Sequence, residues 1–498
     1  MINSVLVLGG GSAGFLVAIT LKHRHPAMRV TVLRSKEIGI IGVGESTTLP
    51  FVNHLHAYLG MDLTEFYRLA QPTHKLAIRF LWGPRPYFDY GLNAQLDLRY
   101  QGFSKPIGYY SGDTLDFGRL SVLMTRNKVF LALPDGRPNY NRDAAYHLQN
   151  SYFVAFLEHY ARRQGVEILD DTVVEVPQND AGIAGLVLAS GVTRTADLYV
   201  DCSGFRALLL GKALGEPFVS FKSSLFCDRA LIGGWKRTDE PIQPYTISET
   251  MNAGWSWRID HEDAINRGYV YASDFISDDE AEREFRQKNP KITDARIVKF
   301  VSGRHERAWV KNVVAIGNAS SFVEPLEATA LGVICADSHA LAEALADTDG
   351  VVRPTMVRLF NERGALLLDL VRRFLAVHYK FNTRLETLFW RACLADVDLA
   401  GAEEYVEFYK ENGPSTLWRQ MILDGRDPFG FEGYLSMMIG MNIPYRRTYT
   451  IPEHEQKAWT ALYNRWQVQA EYALSVEETL RWIRSPGWQW PTGLFAQT

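Results

Sequence analysis

A glycine-rich turn near the start of the chain has the residue types and spacing needed to bind phosphate. Its sequence is Gly9-Gly10-Gly11-Ser12-Ala13-Gly14; it follows the apolar run 5–8 and precedes a helical pattern that begins at Phe15. Gly9 permits a tight turn, Gly11 allows a close approach to a pyrophosphate, and Gly14 lets the helix pack on the strand. The helix N-terminus offers backbone N–H groups to the phosphates. The pattern predicts a dinucleotide site that includes Gly9, Gly11, Ser12, Ala13 and Gly14.

The position that usually holds the ribose-binding carboxylate carries an arginine. Residues 30–33 predict a second parallel strand, and Arg34 follows it where Asp or Glu is usual. Either Glu37 takes that role from the next turn, or the ribose is held differently.

A second glycine cluster, residues 38–47, ends in helix-capping residues. We expect it to lie over the cofactor, although a loop that is glycine-rich for conformational reasons alone stays open. The contacts predicted from it are Gly42, Gly44, Glu45 and Ser46.

Composition narrows the class of protein. The 498 residues suffice for two lobes, and the net charge of −4, without a Lys/Arg run, gives no footprint for nucleic acid or an anionic membrane. The four cysteines lack C-x-x-C spacing, which argues against a metal site or disulfides and for a reducing compartment. Because no apolar stretch is long enough to span a membrane and no leader precedes the first strand, we expect a cytoplasmic protein.

The chain resembles the flavin-dependent tryptophan halogenase family in three segments that follow one another in the same order. They are GGGSAGF (9–15), IGIIGVGEST (38–47) and THKLAIRF (73–80). Taken alone, Lys75 stands at the entrance of the predicted strand 76–80 and reads as a solvated surface lysine. The resemblance implies instead that Lys75 is the essential lysine that delivers oxidised halogen to the substrate. Ala77 replaces a glycine usual in this segment.

The resemblance continues at the later flavin-fold segments. The apolar strand before D-C-S-G-F ends in Asp201, and G-x-A at Gly317 precedes E-P-L-E-A-T-A. The family's pattern implies that Glu327 acts together with the lysine and that backbone amides at Thr329 and Ala330 bind halide. Asp201, Gly317 and Leu326 are implied cofactor contacts. Ala328 and Ala330 replace serine and glycine, so the halide loop depends on whether Ala330 tolerates the backbone angles of glycine.

Departures from the family concern the substrate. Residues 82–110 are predicted as loop. Where the family has Y-H-x-F-G, this chain has Tyr87-Phe88-Asp89-Tyr90-Gly91. Two aromatic rings, Phe88 and Tyr90, are kept as candidate substrate contacts, but the histidine is absent. Farther on, Tyr434 alone remains of a tyrosine pair. An electron-rich aromatic substrate, indole-like or phenolic, is therefore favoured over free tryptophan. Asp260 stands in place of the proline of W-x-W-x-I-P, which keeps a flavin-dependent aromatic hydroxylase open.

The expected fold is α/β: an FAD-binding Rossmann-like domain of the glutathione-reductase or aromatic-hydroxylase type, a mixed β-sheet substrate region and a mainly helical C-terminal lobe. We predict a core over residues 1–353, with inserted substrate segments at about 82–145 and 215–305, and the lobe over 354–498.

The resemblance implies that halide is oxidised through an FAD hydroperoxide formed from dioxygen and FADH2, which a separate flavin reductase supplies. Whether Lys75 acts as an ammonium or as a haloamine stays open, as do a homodimer and a non-catalytic flavin-binding protein.

Overall fold

The computed structural model of the chain describes residues 1–36, 44–93, 96–111, 118–417, 419 and 425–495. Two large sheets and a set of helices form an α/β molecule. The α-helices are Ser12–Arg24, Leu49–Asn53, Leu63–Leu69, Arg119–Thr125, Asn150–Arg163, Asp278–Lys288, Ala330–Asp347, Pro354–Phe381, Leu388–Asp396, Glu403–Asn412, Gly430–Gly440, Glu453–Glu471 and Val476–Ile483. None of the helices within these ranges is long and apolar enough to cross a membrane.

The first large sheet carries the predicted nucleotide-binding unit. Its four inner strands are fully or largely buried and apolar, as expected for a parallel sheet covered on both faces. All neighbours pair in parallel except the edge hairpin at residues 309–315. In spatial order the strands are Trp309–Val310, Val313–Ala315, Leu198–Asp201, Ser4–Leu8, Arg29–Arg34 and Glu167–Asp170.

The second large sheet has seven strands and corrects one prediction. Residues 82–110 are not all loop, because Phe88–Gly91 pairs antiparallel with Ala77–Leu81. Turn residues such as Pro84 and Pro86 hid a strand of four residues whose cross-strand partners lie elsewhere in the sequence. In spatial order the strands are Ala295–Lys299, Arg229–Lys236, Ala264–Tyr271, Gly254–Asp260, Tyr245–Met251, Ala77–Leu81 and Phe88–Gly91.

A small antiparallel sheet connects the two large ones. Its middle strand, Ala145–Leu148, pairs with Glu45–Ser46 on one side and with Thr73–Lys75 on the other. It thereby brings the second glycine segment next to Lys75. The remaining strands are Phe130–Leu131, Val173–Glu175, Gln178–Asn179, Gly182–Ile183, Leu186–Leu188, Thr193–Arg194, Phe218–Ser220, Gly303–His305, Ser321–Phe322 and Ala473–Leu474.

Two extensive hydrophobic clusters hold these layers together. One surrounds the helix Ser12–Arg24 and includes residues from 470 onward, and the other combines the strand Ala77–Leu81 with the helices Pro354–Phe381 and Gly430–Gly440. Each cluster thus contains residues from both sides of position 353. The domain boundary at that position stays a prediction.

Candidate active site

Three chain segments meet at the carboxyl ends of the parallel strands, where α/β folds bind nucleotides. Gly9 has φ +130°, and a Cβ there would lie 2.2 Å from Cys202 O. A Cβ on Gly14 would lie 1.9 Å from Gly9 O, so the helix packs directly on the turn. A Cβ on Gly317 would lie 2.9 Å from Ala13 Cβ, which brings the third segment against the same turn.

The turn leaves open space where a pyrophosphate is expected. Gly11 has no atom within 4 Å of the position of a Cβ, in contrast to Gly9 and Gly14. The helix that follows, Ser12–Arg24, has no side-chain cap at its N-terminus, so its first N–H groups are left for a ligand. These residues fit the phosphates of FAD. The contacts predicted for Gly9, Gly11, Ser12, Ala13 and Gly14 stay predictions.

Arg34 is occupied by ion pairs within the protein. Its guanidinium donates to Glu158 Oε1 at 3.0 Å and to Asp170 Oδ1 at 2.9 Å, and its stem lies beside Gly10. Arginine at this position thus secures the strand to a neighbouring helix and strand. The predicted contacts Glu37 and Gly42 lie outside the described residues.

Asp201 organises the turn that returns beneath the nucleotide site. Oδ1 accepts hydrogen bonds from the N–H and hydroxyl of Ser203, at 3.0 and 2.6 Å. Oδ2 accepts from the N–H groups of Leu209 and Leu210, at 2.7 and 3.0 Å. Both oxygens are therefore used inside the protein, and the cofactor contact predicted for Asp201 stays a prediction.

We expect Asp201→Asn to lower the free energy of unfolding by roughly 2–4 kcal/mol, because the amide nitrogen would face donors that are buried and lose their acceptor. Asp171→Asn is the control. Its carboxylate accepts from Ser190 and Thr172 at the surface, so the same change should leave the unfolding midpoint close to that of the wild type. Thermal unfolding at one scan rate measures both variants, and equal midpoints would contradict the prediction.

The second glycine segment is positioned by polar neighbours. Gly44 lies close to Asn266 and His261, and Ser46 Oγ lies 2.8 Å from Thr246 Oγ1. Burial raises the pKa of the Glu45 carboxyl to about 7. Their roles as cofactor contacts stay predictions.

Lys75 is fully buried, which contradicts the surface position expected from its residue type alone. Its Nζ donates a hydrogen bond to Thr47 O at 2.9 Å. Burial lowers the pKa of Lys75 to about 7, and the charge of Glu327 acts in the opposite direction. Thr48, which follows Thr47 in the chain, lies against the first turn of the helix Ala330–Asp347, because a Cβ on Gly332 would be 3.3 Å from Thr48 Oγ1. Residues 47 and 48 therefore connect Lys75 to the start of that helix.

A buried lysine makes the stability of the protein depend on pH. Lys75 has an ordinary pKa of 10.5 and a folded-state pKa of about 7, so both states bind its proton below pH 7 and the folded state bears the full cost of burial. Between pH 7 and 10.5 the unfolded state binds more protons, and stability rises with pH. We expect Lys75→Met to raise the free energy of unfolding by roughly 2–4 kcal/mol at pH 6, with a smaller gain at pH 9. Thermal midpoints at both pH values measure this, and a midpoint below that of the wild type at pH 6 would contradict it.

In the predicted halide loop, the residue with left-handed backbone angles is Ala328 and not Ala330, which stands where the family has glycine. Ala328 has φ 56° and ψ 33°, while Ala330 is the first residue of the helix Ala330–Asp347. Thr329 is the N-cap, so the N–H groups of Thr329 and Ala330 have no partner inside the helix. Ala330 therefore needs no glycine-like angles. Leu326 is buried in the short turn Pro325–Glu327.

Glu327 is held by a histidine that the sequence interpretation left out of the site. His378 Nε2 lies 2.7 Å from Glu327 Oε1, and both side chains are buried. His378 Nδ1 lies 2.8 Å from Phe374 O, one turn back in the same helix. The segment His378-Tyr379-Lys380 could have signalled this position, but not its partner.

The three predicted substrate residues contact two aromatic rings, Phe80 and Phe374, that in turn contact His378. Phe88 stacks on Phe80, whose ring centroid is 5.3 Å from that of His378. The ring of Phe374 is 5.9 Å from Tyr90 and 5.0 Å from Tyr434. The charge of Glu327 is one of the causes that raise the pKa of Tyr90, after burial. The structure therefore brings these aromatic residues within one ring of His378, and their substrate contacts stay predictions.

A second buried glutamate, also missed from sequence, fixes the turn that carries Glu327. Glu324 Oε2 accepts a hydrogen bond from Trp255 Nε1 at 3.1 Å and another from the hydroxyl of Tyr379. Burial raises the pKa of the Glu324 carboxyl to about 7. Trp255, the first tryptophan of the W-x-W segment, is thereby joined to the turn that carries Glu327.

Asp260, at the position of the usual proline, is a structural residue. It forms an ion pair with Arg258 at 2.7 Å, and its Oδ2 accepts from Gln243 N. Its backbone oxygen accepts from Thr73 Oγ1 at 2.7 Å, two residues before Lys75. The contact with Thr73 is thus made by the backbone, while the aspartate side chain holds Arg258 and Gln243.

Comparisons with known proteins agree with this geometry. A model of the tryptophan halogenase family matches residues 4–455. Tryptophan 6-halogenase ThaL of Streptomyces albogriseolus is 33% identical over 449 residues, 84% of this chain and 83% of that protein. Tryptophan 7-halogenase RebH of Lentzea aerocolonigenes is 31% identical over 444 residues, 82% of each chain. The crystal structure of MibH, described as a lanthipeptide tryptophan 5-halogenase, superimposes with a TM-score of 0.87 at 36% identity and covers 97% of this chain and 94% of MibH.

Proposed function

The chain belongs to the tryptophan halogenase family, and we propose that it halogenates an electron-rich aromatic ring, indole-like or phenolic, that is not free tryptophan. The observation that carries the proposal is the fully buried Lys75, whose charge interacts with that of Glu327 beside three aromatic residues. Full burial of a lysine is costly, and perturbed buried groups of this kind are typical of functional sites. Membership of the family makes the protein a flavin-dependent halogenase.

The glycine turn would hold the phosphates of FAD. Bound as FADH2, with dioxygen, the flavin would supply the oxidant that converts halide into hypohalous acid. The N–H groups of Thr329 and Ala330, at the positive end of the helix dipole, would bind the halide anion. We propose a separate flavin reductase as the source of FADH2.

Lys75 would act on hypohalous acid inside the protein. As an ammonium it can donate a hydrogen bond to the acid and polarise the halogen–oxygen bond; as an amine it can form a haloamine. A pKa of about 7 makes both forms accessible near neutrality. The charge of Glu327, which favours the ammonium, makes the ammonium our proposal.

Two features argue against free tryptophan. Tyr434, the one tyrosine retained from the pair, donates its hydroxyl to Asp427 at 3.2 Å. Asp89 follows Phe88, which stands where the family has histidine, and its carboxylate forms an ion pair with Arg79 at 2.8 Å. A tryptophan side chain within a peptide belongs among the candidates, because MibH is described as a lanthipeptide halogenase.

Product mass spectrometry tests the proposal. The protein is incubated with FAD, a flavin reductase, NADH and oxygen, with chloride, bromide or iodide, and with indoles, phenols, free tryptophan and a tryptophan-containing peptide. We expect a halogen mass shift on a substrate other than free tryptophan. An oxygen mass shift alone would support a hydroxylase instead, and efficient halogenation of free tryptophan would overturn the substrate assignment.

A further inference from the structure

The hydrogen bonds of the Glu327–His378 pair fix how many protons it holds. A carbonyl oxygen only accepts, so the 2.8 Å contact between His378 Nδ1 and Phe374 O places a proton on Nδ1. The 2.7 Å contact between His378 Nε2 and Glu327 Oε1 needs a second proton, because otherwise two acceptors would face each other. Whichever partner holds that shared proton, the pair has no net charge; while His378 holds it, Glu327 keeps the negative charge that acts on Lys75.

The other oxygen of Glu327 is the one left for chemistry. Among the described residues, Oε1 has His378 as its partner, whereas no hydrogen bond reaches Oε2. Glu327 is 3% exposed and His378 is 0% exposed, so bulk water does not readily exchange protons with the pair. A proton that arrives at Oε2 can leave through Oε1 to Nε2.

We propose that His378 stores, through Glu327, the proton that the aromatic ring loses during halogenation. This inference rests on the proposed function and assigns a new role within it. His378 is a positioning residue in this scheme, because it acts on the ring only through Glu327.

The step balances as follows. A π-electron pair of the ring forms the carbon–halogen bond while the halogen–oxygen bond breaks; the oxygen takes that bond pair and a proton from the Lys75 ammonium and leaves as water. The ring carbon then gives its proton to Glu327 Oε2, the C–H electron pair restores aromaticity, and the shared proton settles on His378 Nε2. The proton later returns to Lys75.

Conservation of charge favours this route. Before the reaction Lys75 carries the single positive charge and the pair is neutral; afterwards Lys75 is neutral and the pair carries the charge. The buried site thus holds one positive charge throughout, which avoids the cost of adding a second charge in a medium of low polarity. The lowered pKa of Lys75 is consistent with its giving up the proton.

The test measures kcat separately for indole and for indole deuterated at the carbon that is halogenated, and expresses the preference for the light substrate as the ratio of the two values. In the wild type we expect a ratio near 1, because loss of the ring proton is faster than the steps before it. In His378→Gln the amide still donates to Glu327 Oε1 but cannot take a proton, so loss of the ring proton slows, limits turnover and raises the ratio to at least about 2-fold. Tyr379→Phe is the control, since this equally buried neighbour binds Glu324 instead. A preference that stays near 1 in a folded His378→Gln, or that rises equally in Tyr379→Phe, would overturn the proposal.

A second measurement is made on the wild type without substrate. It depends neither on whether His378→Gln folds nor on whether the proposed function is correct. Histidine-¹⁵N spectra of the wild type should show one ring with a proton on Nδ1 and a shared proton at Nε2, identified by its response to Glu327→Gln. A His378 ring with Nδ1 unprotonated would overturn the proposal. If no probe is halogenated by the wild type, the proposed function fails, while this spectrum still decides the proton count of the pair.

Discussion

Lys75→Ala is expected to reduce halogenation by at least roughly 10³-fold, because the ammonium that polarises hypohalous acid and donates the proton to its oxygen is lost. The fold should survive, since the change removes a buried charge rather than an apolar contact. Hypohalous acid should still form, because the cofactor and halide residues are untouched, and it should leave the protein unreacted.

The measurement combines product mass spectrometry with a soluble trap for free hypohalous acid. The expected pattern is a lost product and an increased trap signal. Lys222→Ala is the matched control, because Lys222 is an exposed lysine paired with Asp274 at the surface. Retention of a tenth or more of the wild-type activity in Lys75→Ala would contradict the assignment, and an oxygenated product that persists would indicate the hydroxylase.

The second large effect concerns Gly14→Ala and Gly11→Ala in the nucleotide turn. We expect both substitutions to weaken FAD binding, but for different reasons. Gly14→Ala places a Cβ 1.9 Å from Gly9 O, so backbone must move; we expect a loss of roughly 3 kcal/mol in the free energy of unfolding together with loss of FAD binding. Gly11→Ala meets no protein atom within 4 Å and has backbone angles, φ −88° and ψ −172°, that alanine adopts. Its stability should stay within about 0.5 kcal/mol of the wild type.

FAD binding should nevertheless fall at least about 10-fold in Gly11→Ala, because the added methyl group fills the space expected for the pyrophosphate. Flavin titration and thermal unfolding of the protein without flavin measure the two effects separately. Wild-type affinity in Gly11→Ala would show that the pyrophosphate does not lie against this residue. Unchanged stability in Gly14→Ala would show that the helix can retreat from the turn.

The nucleotide-binding architecture could be predicted from a local stretch of the sequence. The order of apolar strand, glycine turn and helix at residues 5–24 is a local pattern, and the close contacts of Gly9 and Gly14 in the structure are the reason these positions are glycine. The resemblance, carried by short motifs around Lys75 and Glu327, identified the family that the comparisons then showed.

The environment of those motifs, in contrast, results from contacts between distant parts of the chain. Burial of Lys75 depends on strand Ala145–Leu148, about 70 residues away, which sequence proximity does not reveal. The pairing of Glu327 with His378 joins residues 51 positions apart, and Glu324 with Trp255 joins residues 69 positions apart. Periodicity and composition describe each element separately, whereas hydrogen bonds between distant side chains exist only once the helix Pro354–Phe381 has packed over the turn that carries Glu327. That packing brings Glu327 and His378 into contact inside the protein.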